Sequence, residues 1–171
     1  KGVINRELLG EVIPLARAHR ILITVDPKEE HFNLYRGVTA LTPNRAEAGQ
    51  ALGRELETEA ELARGGGELL ERFRSDAVLI TLGEDGMCLF ERNGRRTRIP
   101  TVAQEVFDVA GAGDTVIAAF TVALAGGASM PEAAVIANRA AGIVVGKLGV
   151  AIATPAELLN HAKVSGAPSK T

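Results

Sequence analysis

The sequence predicts an α/β domain with a mainly parallel sheet and helices on both faces. Three observations predict it. Apolar runs at 21–25, 38–42 and 77–81 lack polar alternation, as strands buried on both faces do. Segments with helical spacing of apolar residues separate those runs, the order of a βαβ architecture. The 171 residues are 46% hydrophobic and 23% charged, the size and composition of about one globular domain. A chain of this length buries a core without disulfide or metal support.

The elements follow in order. Residues 6–19 form a helix on Leu8, Leu9, Val12, Ile13 and Ala16, with Pro14 expected to kink or shorten it. The run 21–25 is a strand ended by Asp26-Pro-Lys28. The run 38–42 is a second strand, followed by Pro43-Asn44 and a helix from about Arg45. Residues 56–74 are helical through Leu62, Leu69, Leu70 and Phe73. Three glycines at 65–67 interrupt them, at about 1 kcal/mol each relative to Ala. After the strand 77–81, a turn at 83–86 leads to a strand at 87–91, and Asn93-Gly94 signals a hairpin into 97–100. Residues 113–125, 131–147 and 155–162 are helices, the second with Pro in its first turn. No repeat or linker marks a domain boundary. Residues 1–164 read as one unit and 165–171 as a tail that frays.

Composition narrows the function. Nineteen Lys and Arg against 21 Asp and Glu, a net charge of −2, give neither the basic excess nor the stripe of a nucleic-acid binder. The apolar stretch 109–130 carries Asp114 and four glycines, so it reads as a buried helix and not a membrane span. One cysteine, Cys88, allows no internal disulfide and fits the reducing cytoplasm. His19, His31 and His161 are scattered, so no metal-ligand cluster is visible. Gly142 to Leu148 fails the Walker spacing by one residue and lacks its hydroxyl, and Gly111-x-Gly113 lacks the third glycine of a dinucleotide fingerprint.

In an open α/β sheet, ligands bind beyond the carboxyl ends of the strands. Asp26, Lys28, Thr42, Asn44, Thr81 and Gly83 fall there. So does Asp108-Val-Ala-Gly-Ala-Gly-Asp114, a glycine-rich loop entering a helix, where backbone N–H groups and the helix dipole favour an anion. A carboxylate beside an anion hole suits phosphoryl transfer to a hydroxyl: the hole takes charge on the phosphoryl group and Asp114 takes the proton. Asp114 as a plain helix cap is the alternative reading. Asn44-Arg-Ala-Glu47 has the N-x-x-E pattern, which is equally a capping box.

The run from Asp108 to Thr121 resembles the C-terminal signature of the ribokinase-like, or PfkB, carbohydrate kinases at every constrained position. The resemblance implies a ribokinase-like fold. It also implies Asp114 as catalytic base, an anion hole from the backbone of Gly111, Ala112 and Gly113, and Mg-ATP placement by Asn44, Arg45, Ala46 and Glu47. Thr81, Gly83 and Gly86 match the nucleotide loop of that family, and Asn138 the helix residue bordering the adenine. A monovalent cation such as K+ is implied at Asp108, Ala110, Gly149 and Thr154. Lys28 would suit a phosphate of ATP or of the sugar. Within the family the chain resembles heptose 7-phosphate kinases of lipopolysaccharide precursor synthesis, through Val25-Asp-Pro-Lys28, Leu41-Thr-Pro-Asn44 and Val145-Gly-Lys-Leu-Gly149. The acceptor implied is the O1 hydroxyl of D-glycero-D-manno-heptose 7-phosphate. Ribose, adenosine or fructose phosphate kinases, or a non-catalytic nucleotide-binding fragment, are the alternatives.

The resemblance covers the C-terminal, nucleotide-binding half of the kinase domain in that family. Nothing matches the half that supplies the sugar pocket, and no H-x-G-H adenylyltransferase motif occurs. Residue 1 is Lys, so the chain is expected to be a fragment, inactive alone and prone to self-associate as a homo-oligomer through the surface left uncovered.

Overall fold

A computed structural model describes residues 2–102, 107–149 and 151–165. Its elements are α1 (Arg6–Ala18), β1 (Thr24–Val25), α2 (Arg45–Leu52), α3 (Glu59–Phe73) and β3 (Ala77–Thr81), with β2 (Ala40–Leu41) between β1 and α2. They continue as β4 (Met87–Glu91), β5 (Arg96–Ile99), α4 (Ala112–Ala125), α5 (Met130–Val145) and α6 (Pro155–Ser165). Short 3-10 turns occupy Glu29–Leu34 and Gly83–Asp85.

The five strands lie in the order β1-β2-β3-β4-β5. The first three are parallel, and β4 and β5 each pair antiparallel with the preceding strand. The sheet is therefore mixed and not mainly parallel. The reason is local: residues 82–86 and 92–95 are too short for a crossover, which needs a dozen or more residues.

Alternation along the central strands divides two cores. Val78, Ile80, Cys88 and Phe90 face α1, α2 and α3. Ala77, Leu79, Met87 and Leu89 face α4 and α5, where Phe120 is fully buried. Full burial of such a side chain contributes roughly 1.5–3 kcal/mol.

Four local expectations change. Only Thr24–Val25 of the first apolar run is strand, and Ile21 is 60% exposed; β2 is as short, with Ala40–Leu41 alone of the run 38–42. Pro14 sits inside an uninterrupted α1. It removes the donor to the carbonyl of Gly10, which lies on the exposed side where water can replace it. The glycines 65–67 do not break α3. A Cβ on Gly66 would lie 2.5 Å from ring atoms of Phe90, and one on Gly65 2.8 Å from Leu56 Cδ2. Gly66 lets the helix approach the sheet closely, and Gly65 lets it approach α2 and the segment that follows α2. Finally, α4 is not buried all round: Val116 and Phe120 are buried while Val122 is 72% exposed. Ser165 ends α6, and the rest of the expected tail, 166–171, lies outside the described residues.

Candidate active site

The carboxyl ends of β1, β2 and β3 open beside the start of α4. Between them lies a polar cleft of about 240 Å³, lined by Asp26, Lys28, Thr42, Asn44, Glu47, Thr81, Gly111, Gly113 and Asp114. Residues separated by up to 88 positions in sequence thus share one small volume. Three carboxylates and one ammonium line it.

Lys28 is fixed by its neighbour. Its Nζ donates to Asp26 Oδ2 at 2.7 Å. That hydrogen bond, reinforced by the charges of Asp26, Glu47 and Asp114, holds the ammonium above its ordinary pKa against a smaller opposing desolvation. Asp26 is a member of the site whose role sequence reading did not find; the only signal was its place two residues before Lys28.

Asn44 caps α2. Its Oδ1 accepts from the Glu47 N–H at 2.9 Å, and Glu47 Oε2 accepts from the Asn44 N–H at 2.8 Å. The capping box is complete, and both residues also line the cleft. The Thr81 N–H donates to the Pro43 carbonyl at 3.0 Å and ties β3 to this cap.

Gly111 precedes α4 with φ +77°, which places the loop in the left-handed region that glycine favours. Asp114 is the third helical residue and is exposed. The first N–H groups of a helix have no i−4 acceptor. Of the expected anion hole, the Ala112 N–H turns back to the Val109 carbonyl at 3.2 Å. Gly111 and Gly113 line the cleft.

A second pocket of about 440 Å³ adjoins the first and shares Thr81 and Gly113 with it. Gly83, Glu84 and Gly86 form one wall, Met87, Val116 and Val145 supply apolar surface, and Asn138 borders it. Asn138 is 5% exposed, and its Nδ2 donates to the Pro100 carbonyl at 2.7 Å. It is a buried anchor of the chain leaving β5, not a solvent-facing residue. Gly86 has φ +80°, and a Cβ there would lie 2.2 Å from the Ile99 carbonyl oxygen. This pocket is mostly apolar, whereas the adjoining cleft is polar and lined by three carboxylates and one ammonium.

Two of the expected nucleotide contacts lie elsewhere. Arg45 and Ala46 face an open groove of about 810 Å³ between α2 and residues 54–57. There Arg45 Nη2 pairs with Asp85 Oδ2 at 2.8 Å. Of the four residues expected to hold a monovalent cation, Asp108 and Thr154 have side chains already hydrogen-bonded. Asp108 Oδ1 accepts from the Ala110 N–H at 2.9 Å. Gly149 is exposed with φ +71°. The Thr154 hydroxyl donates to Glu157 at 2.7 Å, and Lys147 Nζ reaches both Glu157 and the Ile152 carbonyl at 2.7 Å. Lys147, with the Thr154 N–H and hydroxyl, pushes the Glu157 carboxyl down to about 2.

Among the described residues no three His, Cys, Asp or Glu side chains come together to hold a metal by themselves. The carboxylate oxygens of the cleft suit a hard cation that keeps phosphate and water ligands. Among the described residues no helix is long and apolar enough to cross a membrane.

Comparison with known proteins gives a family and a fold. Residues 2–157 match the model of the pfkB family of carbohydrate kinases. The chain is 49% identical over 159 residues to the bifunctional protein HldE of Geobacter sulfurreducens and 50% identical to that of Geobacter metallireducens. It covers 32% of each of these relatives, and they cover 93% of it. Among solved structures it is similar to Arabidopsis thaliana ribokinase, complexed with ribose and ATP, with a TM-score of 0.82 at 24% identity. That match spans 94% of this chain and 53% of the ribokinase. Phosphofructokinase-2 from Escherichia coli in complex with potassium gives 0.81 at 20% identity over 95% of this chain and 53% of the enzyme. These two establish the ribokinase-like fold.

Proposed function

The chain belongs to the pfkB family of carbohydrate kinases, and from that premise we propose that it is the nucleotide-binding half of an ATP-dependent sugar kinase. The observation that carries the reading is the meeting of Lys28, Glu47 and Asp114 in one cleft that opens into a pocket of nucleoside size. The similarity to HldE favours D-glycero-D-manno-heptose 7-phosphate as acceptor, with phosphorylation at O1 in a cytoplasmic route to ADP-heptose and lipopolysaccharide.

Each residue has a role in that reaction. Asp114 stands at the mouth of α4 and accepts the proton of the attacking hydroxyl. The N–H groups at the start of α4 take charge on the phosphoryl oxygens, which needs no reorganisation during reaction. Lys28, held by Asp26, balances part of the negative charge in a cleft otherwise lined by carboxylates. Asn44 and Glu47 hold the metal-phosphate side; Thr81, Gly83 and Gly86 allow close backbone approach to the ribose and phosphates; Asn138 walls the base. Glu47 would support magnesium arriving with the nucleotide, which would supply positive charge against the phosphates. A monovalent cation, where bound, would be held by Asp108, Ala110, Gly149 and Thr154 beside the start of α4.

Phosphoryl transfer draws most of its rate from positioning. The acceptor pocket belongs, in this reading, to the part of the kinase that the chain does not span. Calorimetry with Mg-ATP and ADP, beside a coupled assay over several sugars, tests both statements on one sample. Nucleotide binding without sugar-dependent ADP release is expected. Release of ADP on adding a sugar refutes the half-site reading, and a folded sample that binds no nucleotide refutes the assignment of the cleft.

A further inference from the structure

We propose that Arg45 is a positioning residue: through Asp85 it locks the turn that walls the nucleoside pocket onto the helix terminus that lines the phosphate cleft. The proposal rests on the nucleotide reading of these two sites and adds a component that touches neither ligand position.

The turn at Gly83–Asp85 is closed on itself by three backbone hydrogen bonds, none of which reaches α2. Leu82 N–H donates to the Gly86 carbonyl at 2.8 Å, and the Asp85 and Gly86 N–H groups close back to Leu82 and Gly83 at 3.2 and 3.0 Å. Glycines with φ of +61° and +80° stand at its two ends. Glycine there permits the turn but also enlarges the set of conformations it can leave for. Gly83, Glu84 and Gly86 form the pocket wall, while the Asp85 carboxylate reaches to the other side and accepts from Arg45 at 2.8 Å.

Arg45 is the first residue of α2, immediately after the Asn44 cap. The same terminus is joined to the end of β3 by the Thr81–Pro43 hydrogen bond. That backbone attachment, part of the Asn44–Thr81 bridge, ends before the turn; the ion pair, between residues 40 positions apart, attaches the turn itself. Arg45 itself faces the outer groove and lines neither the cleft nor the nucleoside pocket. Its effect on binding is therefore preorganisation of the wall, which lowers the ordering required when a nucleotide arrives. Both side chains are partly exposed, so the effect is small: roughly two- to five-fold in nucleotide affinity.

The test uses the 171-residue chain with ADP as probe. Arg45→Ala and Asp85→Ala should each weaken ADP binding by roughly two- to five-fold. The double variant should be no weaker than either single one. Exchanging the charges, Arg45→Asp with Asp85→Arg, should restore affinity. Without nucleotide, amide exchange at Asp85 and Gly86 should quicken in each single variant while the exchange of β3 amides stays as it was. Loss of affinity in Arg45→Ala alone, with Asp85→Ala unaffected, would mean that Arg45 contacts the nucleotide directly and overturns the proposal. Unchanged affinity and exchange in both would reduce the pair to a surface contact and overturn it too. If the parent chain binds no ADP, the nucleotide reading fails on that result, and the exchange measurement still decides whether the turn is locked through Arg45.

Discussion

Substituting the glycines of α3 one at a time separates two effects that the sequence merges. All three lie inside the helix, so each loses about 0.8–1.0 kcal/mol of helix propensity relative to Ala. Their surroundings differ. A Cβ on Gly67 meets nothing within 4 Å, so Gly67→Ala should stabilise by about 1 kcal/mol. A Cβ on Gly66 meets Phe90 Cδ1, Cδ2 and Cε1, each at 2.5 Å. Phe90 is 4% exposed and pinned in β4, so its ring has nowhere to go. Overpacking of that kind costs about 1–3 kcal/mol. The propensity gain is common to both variants and cancels in their comparison. Gly66→Ala should thus be less stable than Gly67→Ala by about 1–3 kcal/mol, or about 2–12 °C in Tm at 2–4 °C per kcal/mol. Gly65→Ala should fall between them, because its nearest contact, at 2.8 Å, is the end of the Leu56 side chain, which can turn. Scanning calorimetry of the three variants measures the order directly. Equal melting temperatures for Gly66→Ala and Gly67→Ala would refute the close approach of α3 to the sheet. Phe90→Leu should recover stability in Gly66→Ala if the ring is the obstacle.

Other expectations follow from the site and its surroundings. In a protein carrying the whole kinase domain, Asp114→Asn should lower kcat by about 10²–10⁴-fold with little change in nucleotide affinity; turnover within a few-fold of the parent in folded protein would exclude it as the base. Glu47→Gln retains an oxygen that can accept from the Asn44 N–H, so melting should barely move while the Mg²⁺ concentration needed for nucleotide binding rises; lost stability with unchanged Mg²⁺ dependence would leave Glu47 as a cap alone. The Glu157 carboxyl is pushed below its ordinary 4.5 to about 2, so its hold on Lys147 and Thr154 is complete above pH 4.5 and disappears as pH falls toward 2. Amide exchange in α6 should rise across that window, and Glu157→Gln should show the loosened α6 at every pH; an α6 indifferent to pH would contradict the pairing. The β1 edge and the exposed Leu15, Ile21 and Val122 should make the isolated chain self-associate, and Ile21→Lys should reduce it in sedimentation runs; a monomeric parent chain at high concentration would rule this out.

The parts of the fold legible in the sequence are those decided by neighbours along the chain. β3 and β4 could be read because an unbroken apolar run suits only a strand covered on both faces. The start of α2 could be read because Asn44 and Glu47 interact over three residues. Asp114 and the glycines before it could be read because a loop entering a helix is a local structure. What could not be read depends on distant partners. The edge position of β1 depends on which strands pair with it, and its composition alone does not reveal that. The glycines of α3 looked like a defect until Phe90 stood against them. Arg45 lies within the N-x-x-E motif yet turns away from the cleft, because Asp85, 40 residues on, draws it outward. Lys28 could be named as a cation near the site, but the side-chain conformation that brings it onto Asp26, two residues back, could not be read from the spacing.

The hydrogen bond from Asn138 to the Pro100 carbonyl bears on how this pocket could be re-engineered. A library aimed at a different nucleobase would naturally include Asn138, since it borders the pocket. Most replacements there would leave a carbonyl without its donor, at about 1–3 kcal/mol, and would release the segment that packs against Gly86. Such variants would be lost for poor folding before their base preference could be read. Glu84 and Val109 line the same pocket and are exposed. Diversity placed at those two positions, with Asn138 held fixed, should let selection act on recognition instead of on survival of the fold.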